Sequence, residues 1–177
     1  MIFYDKAYQS TLMACIIAVL TPTSFAASST SNLAVTATVS ATCSISTTAV
    51  SFGQYDLTAA SGTELKATGT LQLSCTQGSV VTNITLGTGA NASTVTGFDR
   101  AMASGSSKIG YDLYRPVSTM ENAACSYTTK WNESSTFALE AAPTNASRTY
   151  NVCGRTLHGQ SALPGSYTDN VVVTIFY

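Results

Sequence analysis

Apolar and polar side chains alternate with a period of two along most of this chain, and long helix-forming runs of Leu, Glu, Lys and Ala are missing, which predicts many short strands joined by polar turns. Near the N-terminus Leu33, Val35, Ala37 and Val39 alternate with Thr36, Thr38 and Ser40 as in a half-buried strand. Cys43, Ile45, Val50 and Phe52 predict a first core strand that Gly53 ends, and residues 66–75 a second with Leu71, Leu73 and Cys75 on one face. Residues 80–86 read as a third strand, and the turn formers Gly87, Gly89, Asn91 and Ser93 behind it predict a hairpin or long loop. Tyr111 and Leu113 alternate with Asp112 and Tyr114 in a strand over 109–115 that Pro116 ends. Between 116 and 147 the period does not decide: Trp131 and the run Phe137-Ala138-Leu139 fit a strand as well as a short helix. Residues 148–157 resume a strand. Residues 169–177 read as one buried strand, with Val171, Val173, Ile175 and Tyr177 on one face and Val172, Thr174 and Phe176 on the other. Six or seven strands at this spacing make an all-β sandwich of the immunoglobulin type the expected architecture.

No return strand follows residue 177, so the last strand is expected to leave an apolar edge uncovered, while the stretch at 33–39 is a strand to spare. An uncovered edge is a template for pairing with another chain. Together the two features predict polymerisation, against the blander reading that 33–39 is the first strand of a closed sandwich. Between Val39 and Ile45, residues Ser40, Ala41, Thr42 and Cys43 include no Gly, Pro, Asn or Asp to reverse the chain, so a tight return onto the same domain is sterically awkward.

Compartment follows from the first residues. Lys6 precedes the apolar run 12–20, Pro22 breaks it, and Ser24-Phe25-Ala26 supplies the small residues of a cleavage site. A leader over 1–26, cut between Ala26 and Ala27 and taking Cys15 with it, is expected. The run is too short to span a bilayer, and no later segment approaches the roughly 20 apolar residues of a membrane helix. The mature chain is therefore expected to be exported, with an N-terminal extension over 27–41 and a single domain over 42–177 that has room for a core.

Charged residues are 10% of the chain and the net charge is -1, which leaves no basic face for a phosphate backbone; nucleic acid is not an expected partner. Cys43, Cys75, Cys125 and Cys153 are even in number in an exported chain, which favours disulfides, whereas a zinc site lacks any CxxC or paired histidine. Four thiols allow three pairings. The sequential one closes loops of similar size, each contributing roughly 3.5 kcal/mol in the chain-entropy model. Chemistry for catalysis is thin. His158, the single histidine, sits in a run composed as a surface turn; no GxSxG elbow or phosphate loop is present. The spacing of Asp99, Asp112, Glu121, Glu133 and Glu140 favours no paired-carboxylate reaction, so neither an enzyme nor a cofactor is expected. Trp131, Tyr111, Tyr114 and Tyr127 offer a stacking surface for a sugar, against the commoner fate of strand aromatics in a core. Asn83, Asn91, Asn132 and Asn145 begin N-x-S/T sequons, which a eukaryotic glycoprotein would use and a bacterial chain would not.

Several stretches taken together carry a resemblance. They are Cys43 with Val50-Ser51-Phe52-Gly53-Gln54-Tyr55, then Leu71-Gln72-Leu73-Ser74-Cys75, then Arg100 and Ile109-Gly110-Tyr111-Asp112-Leu113-Tyr114, and above all Cys153-Gly154-Arg155 followed by Gly165-Ser166-Tyr167-Thr168-Asp169 and the final strand. In order and spacing they resemble the spore coat protein U family, whose members include the pilins of archaic chaperone-usher pili. The resemblance spans nearly the whole mature chain. It implies an incomplete immunoglobulin-like sandwich that lacks its seventh strand and is completed by donor-strand complementation. A periplasmic chaperone lends the strand, and at an outer-membrane usher the N-terminal extension of the next subunit replaces it. It also implies a Cys43–Cys75 bridge; a Cys125–Cys153 bridge follows from parity alone, since the family often has an aromatic residue where Cys153 stands.

The resemblance thus implies a shaft or minor pilin in a fibre on a Gram-negative surface, serving adhesion and biofilm formation, with neighbouring subunits as partners. Leu33, Val35, Ala37 and Val39 are then the donor strand, and Val171, Val173, Ile175 and Tyr177 the final strand of the acceptor groove. Burial of Leu33, Val35 and Val39 at roughly 1.5–3 kcal/mol each, with backbone pairing, comes to about 5–10 kcal/mol before ordering costs, comparable to the net stability of a small domain. Alternative readings are a secreted glycan-binding module and a spore or cell-coat protein with the same fold.

Overall fold

The computed structural model describes residues 24–91 and 95–177, so the expected leader lies, except for its last three residues, outside the described residues. The chain divides into two units, Met1–Ala37 and Thr38–Tyr177. In the first, residues 24–37 have no regular secondary structure, and Leu33 is 88% and Val35 86% exposed. The strand predicted over 33–39 is therefore not formed within this chain: an extended segment alone has no neighbour for its N–H and C=O groups, and water serves them.

Among the described residues eight strands build the second unit: β1 Cys43–Thr48, β2 Glu64–Cys75, β3 Asn83–Leu86, β4 Arg100–Ser104, β5 Ser107–Pro116, β6 Cys125–Lys130, β7 Arg148–Leu157 and β8 Val173–Phe176. Six form one antiparallel sheet in the order β1-β2-β7-β5-β4, with β6 also on β5. Tyr111 pairs with Thr156 of β7 and Arg100 of β4, and Tyr114 with Cys153 of β7 and Lys130 of β6, so β4 and β6 share the far edge of β5. β3 and β8 make a second sheet. Residues 137–142 extend it: Leu139 N–H donates to Val81 O at 2.9 Å, Ala142 N–H to Ser79 O at 2.9 Å, and Ile84 N–H to Phe137 O at 3.1 Å. The undecided run at 137–139 is thus extended chain.

Between the two layers lies the core. Leu71, Leu73, Tyr111, Leu113, Tyr150 and Val152 come from the large sheet, and Val81, Ile84, Leu86, Phe137 and Leu139 face them from the other side. Trp131 is fully buried among them, its Nε1–H donating to Ile84 O at 2.8 Å. Two bridges tie strands of the large sheet together. Cys43 and Cys75, directly opposed across the β1–β2 ladder, are bonded with Cα atoms 4.1 Å apart, and Cys125 of β6 is bonded to Cys153 of β7.

Several expectations are corrected. Cys43, Ile45, Val50 and Phe52 do not share one core strand: β1 stops at Thr48 and exposes every side chain but Cys43, and Val50 and Phe52 pack on the core from the irregular segment behind it. Asp112 and Tyr114 are as buried as Tyr111 and Leu113, because the outer face of β5 is itself covered. There Lys130 reaches Asp112, and Arg155 lies 4.7 Å over the Tyr114 ring. The buried strand expected over 169–177 is only the four residues of β8, with Thr174 and Phe176 exposed, because a strand at the end of a sheet is covered on one face at most. Tyr177 is 54% exposed.

Candidate functional site

Between the two sheets the sandwich is open along one side, leaving a groove of about 1090 Å3. Its first wall is the run from Thr47 to Tyr55, and its second the run 162–171 leading into β8. Leu86, Met102, Tyr111, Leu113, Val152 and Val173 form the floor.

Each wall is held at its ends. Thr48 Oγ1 sits 2.8 Å from Thr70 Oγ1 and accepts from Thr70 N–H at 2.8 Å, which fixes the start of the first wall. At its far end the Tyr55 hydroxyl donates to Leu157 O at 2.6 Å and accepts from Gln160 N–H at 3.1 Å. In the second wall, Thr168 exchanges two backbone hydrogen bonds with Ala103 of β4, at 3.0 and 3.1 Å. The chain thereby leaves the edge of the large sheet and enters β8 of the small one. Asp169 locks that crossing. Its Oδ1 accepts from the N–H groups of Ala90, Asn91 and Asn170 at 2.9, 3.1 and 2.9 Å, and its Oδ2 from the Tyr111 hydroxyl at 2.7 Å. Gly89, at φ +90°, brings the loop close enough that a Cβ there would lie 2.1 Å from Asp169 Oδ2. Burial, and then the bond to Asp169, pushes the Tyr111 hydroxyl far above the usual tyrosine range, so it donates at any physiological pH.

Asp169 is the one charged side chain among the described residues lining the groove, and its carboxylate is occupied by these donors. The floor is mainly apolar, and the walls add uncharged polar side chains such as Ser51, Gln54, Ser166 and Asn170. β8 has β3 on one edge, and among the described residues no strand pairs with its other edge. Apolar floor and unpaired backbone suit an extended peptide. No group of three or more His, Cys, Asp or Glu that could hold a metal exists among the described residues.

Of the predicted acceptor residues, Val171 and Val173 line the groove, while Ile175 packs against the core outside the lining and Tyr177 is exposed. The predicted donor residues Leu33, Val35 and Val39 are between 82% and 88% exposed. Trp131, Tyr111, Tyr114 and Tyr127 do not form one sugar-stacking surface: Tyr111 and Tyr114 lie in β5, covered on both faces, Trp131 is enclosed in the core after β6, and Tyr127 is half-buried. His158 serves a turn, its Nδ1 2.9 Å from Asp56 O and its ring against Tyr55. The amide nitrogens of Asn83 and Asn91 donate to Ser135 O at 3.2 Å and Thr168 O at 3.0 Å. Sequence reasoning missed the structural part played by Asp169 and treated Val50 and Phe52 as strand residues; the glycines inside β2 and β7 were the available signal, since glycine within a strand marks a close approach of chain.

Among solved structures the fold is similar to a chain of the CsuC-CsuE chaperone-tip adhesion subunit pre-assembly complex from archaic chaperone-usher Csu pili of Acinetobacter baumannii, with a TM-score of 0.51 and 19% identity. The match covers 79% of this chain and 40% of that one, so this chain spans less than half of its length. At that identity the likeness speaks for the fold alone, an immunoglobulin-like sandwich. No curated protein matches the sequence. Residues 29–174 match the Spore Coat Protein U domain, and the chain belongs to that family.

Proposed function

We propose that this protein is a subunit of an archaic chaperone-usher pilus, assembled by donor-strand exchange. The observation that carries the reading is the open groove, apolar below and bordered by the edge of β8 that no described strand pairs, in a chain that also holds an exposed alternating segment at Leu33, Val35, Ala37 and Val39. An incoming strand satisfies the free edge of β8 and covers the floor, so it removes apolar surface from water and pairs polar backbone in one step. In the periplasm a chaperone supplies that strand, and at an outer-membrane usher the extension of the next subunit displaces it. Because the donor and acceptor surfaces of one subunit are different, the contact is head-to-tail and propagates as a fibre. The fibre serves adhesion and biofilm formation at the surface of a Gram-negative cell. The similar fold in a chaperone-subunit complex of Csu pili supports the reading.

Co-expression with a periplasmic pilus chaperone tests it. A 1:1 complex that gives way, on release, to multimers resisting heat and detergent is the expected result. A stable, fully folded monomer without the chaperone overturns the proposal.

A further inference from the structure

Gly69 lies inside β2 and Gly154 inside β7, positions where no turn is made. In the ladder Ala67 pairs with Gly154 and Gly69 with Val152, whereas further along Leu71 pairs with Tyr150. The inward face of the large sheet is therefore nearly bare at one end and bulky at the other. Val50 rests on the bare end. A Cβ built on Gly154 would lie 2.3 Å from Val50 Cγ1, and one on Gly69 would lie 2.8 Å from Val50 Cγ2 and 2.6 Å from Thr48 O. Phe52 lies beside it, with Cζ 2.9 Å from the same Gly154 position and its ring edge-on to Tyr111 at 6.0 Å between centroids. Both side chains belong to the segment 49–55, which is outside the strand ladders and forms the first wall of the groove.

The geometry points to Gly69 and Gly154 as positioning residues that set the width of the groove. They form a socket that seats Val50 and Phe52 flat on the sheet, and the depth of that seat fixes where the wall stands relative to β8. Any side chain in the socket lifts Val50 and Phe52 toward the space an incoming strand must occupy. A glycine costs conformational entropy and packing within a strand, and here two are placed under one short segment, so close approach is what they provide. The inference rests on the strand-accepting reading of the groove.

The test uses the full-length subunit held by its co-expressed chaperone, with a fluorescent synthetic peptide of residues 29–41 as probe and the rate of peptide uptake as readout. Gly154→Ala is expected to slow uptake by about tenfold or more, as overpacking of a tight contact does. Val50→Ala in the Gly154→Ala background removes the nearest atom that the new Cβ meets, Val50 Cγ1 at 2.3 Å, leaves only the edge of the Phe52 ring at 2.9 Å to shift, and should return uptake to within about threefold of the wild type. A merely structural defect would not be repaired this way, since Val50→Ala by itself only deletes buried surface. Wild-type uptake by Gly154→Ala overturns the inference, as does a double variant captured normally yet as slow as the single one. If Gly154→Ala is not recovered with the chaperone, the double variant decides: recovered and active upholds the socket, absent or inert overturns it. Should the wild-type subunit ignore the peptide, the strand-accepting reading fails and the inference with it, a result distinct from uptake indifferent to residue 154.

Discussion

Arg100 carries a guanidinium into an interior where its side chain is wholly buried. Nε donates to Gly87 O at 2.8 Å, and Nη2 to Leu86 O at 3.0 Å and Trp131 O at 2.8 Å, so one side chain gathers the end of β3 and the chain after β6 against β4. Burial lowers its pKa from the usual arginine value, with Tyr111, Asp99, Asp112 and Asp169 opposing that shift. Arg100→Leu leaves three carbonyls, two of them in buried bonds, without their donor and is expected to cost about 2–4 kcal/mol, read as a lower urea midpoint. Arg100→Lys should recover little, because an ammonium lacks the planar fork that reaches several carbonyls at once. Tyr111→Phe removes the donor to Asp169 and should cost about 1–2 kcal/mol. The folded hydroxyl holds its proton above the ordinary value of 10.0. Its share of stability is thus intact below pH 10 and falls as the unfolded phenol ionises above it, and Tyr111→Phe should flatten the alkaline limb of a stability-pH curve. The composition of the chain marks neither residue as special; the three carbonyls around Arg100 come together only in the folded chain.

At the level of elements, the sequence reading was nearest where a strand carries its own pattern. β7 spans the predicted 148–157, and β2 places Leu71, Leu73 and Cys75 in the core as expected. The sequence allows a hairpin or a long loop behind residue 87 and does not single out Arg100-Ala101-Met102-Ala103-Ser104, which has no β-branched residue; it is the strand β4, laid against β5 by the turn at Gly105, with φ +61°. β6 and 137–142 fall within the stretch 116–147, where the apolar period does not decide between strand and helix. The two disulfides close similar separations, 32 and 28 residues, so the chain-entropy model gives each about 3–4 kcal/mol. Their elements differ, however. β1 pairs with β2 alone and leads directly into the first wall of the groove, whereas β6 is held by β5 and packs beside β7. Replacing Cys43 and Cys75 by Ala should therefore abolish multimers. The Cys125→Ala and Cys153→Ala pair should lower the unfolding midpoint by a similar amount and leave multimers intact on unheated denaturing gels.

For the whole molecule, the decisive quantity is how much stability comes from outside the chain. A donor strand worth about 5–10 kcal/mol before ordering costs equals the net stability of a small domain, so a subunit without one is expected to be marginal. Deleting residues 28–40 should leave chaperone capture intact and remove multimers. Val35→Asp or Val39→Asp should act in the same direction, because an unpaired carboxylate in an apolar groove costs several kcal/mol; unchanged multimers in either variant count against the polymer.

The order of apolar and polar positions determined by itself that the chain is all-β, that Leu71, Leu73, Tyr111 and Leu113 face inward, and that apolar and polar residues alternate over 33–39, because a period of two is a local property of the backbone. Only the tertiary structure decided that β8 is short and half exposed, that Asp112 and Tyr114 are covered on the outer face, and that Val50 and Phe52 form a wall rather than a strand. Those outcomes depend on which distant segments meet, such as Val50 over Gly69 and Gly154, or Asp169 beside Tyr111, and no periodicity along one segment records what will lie across from it.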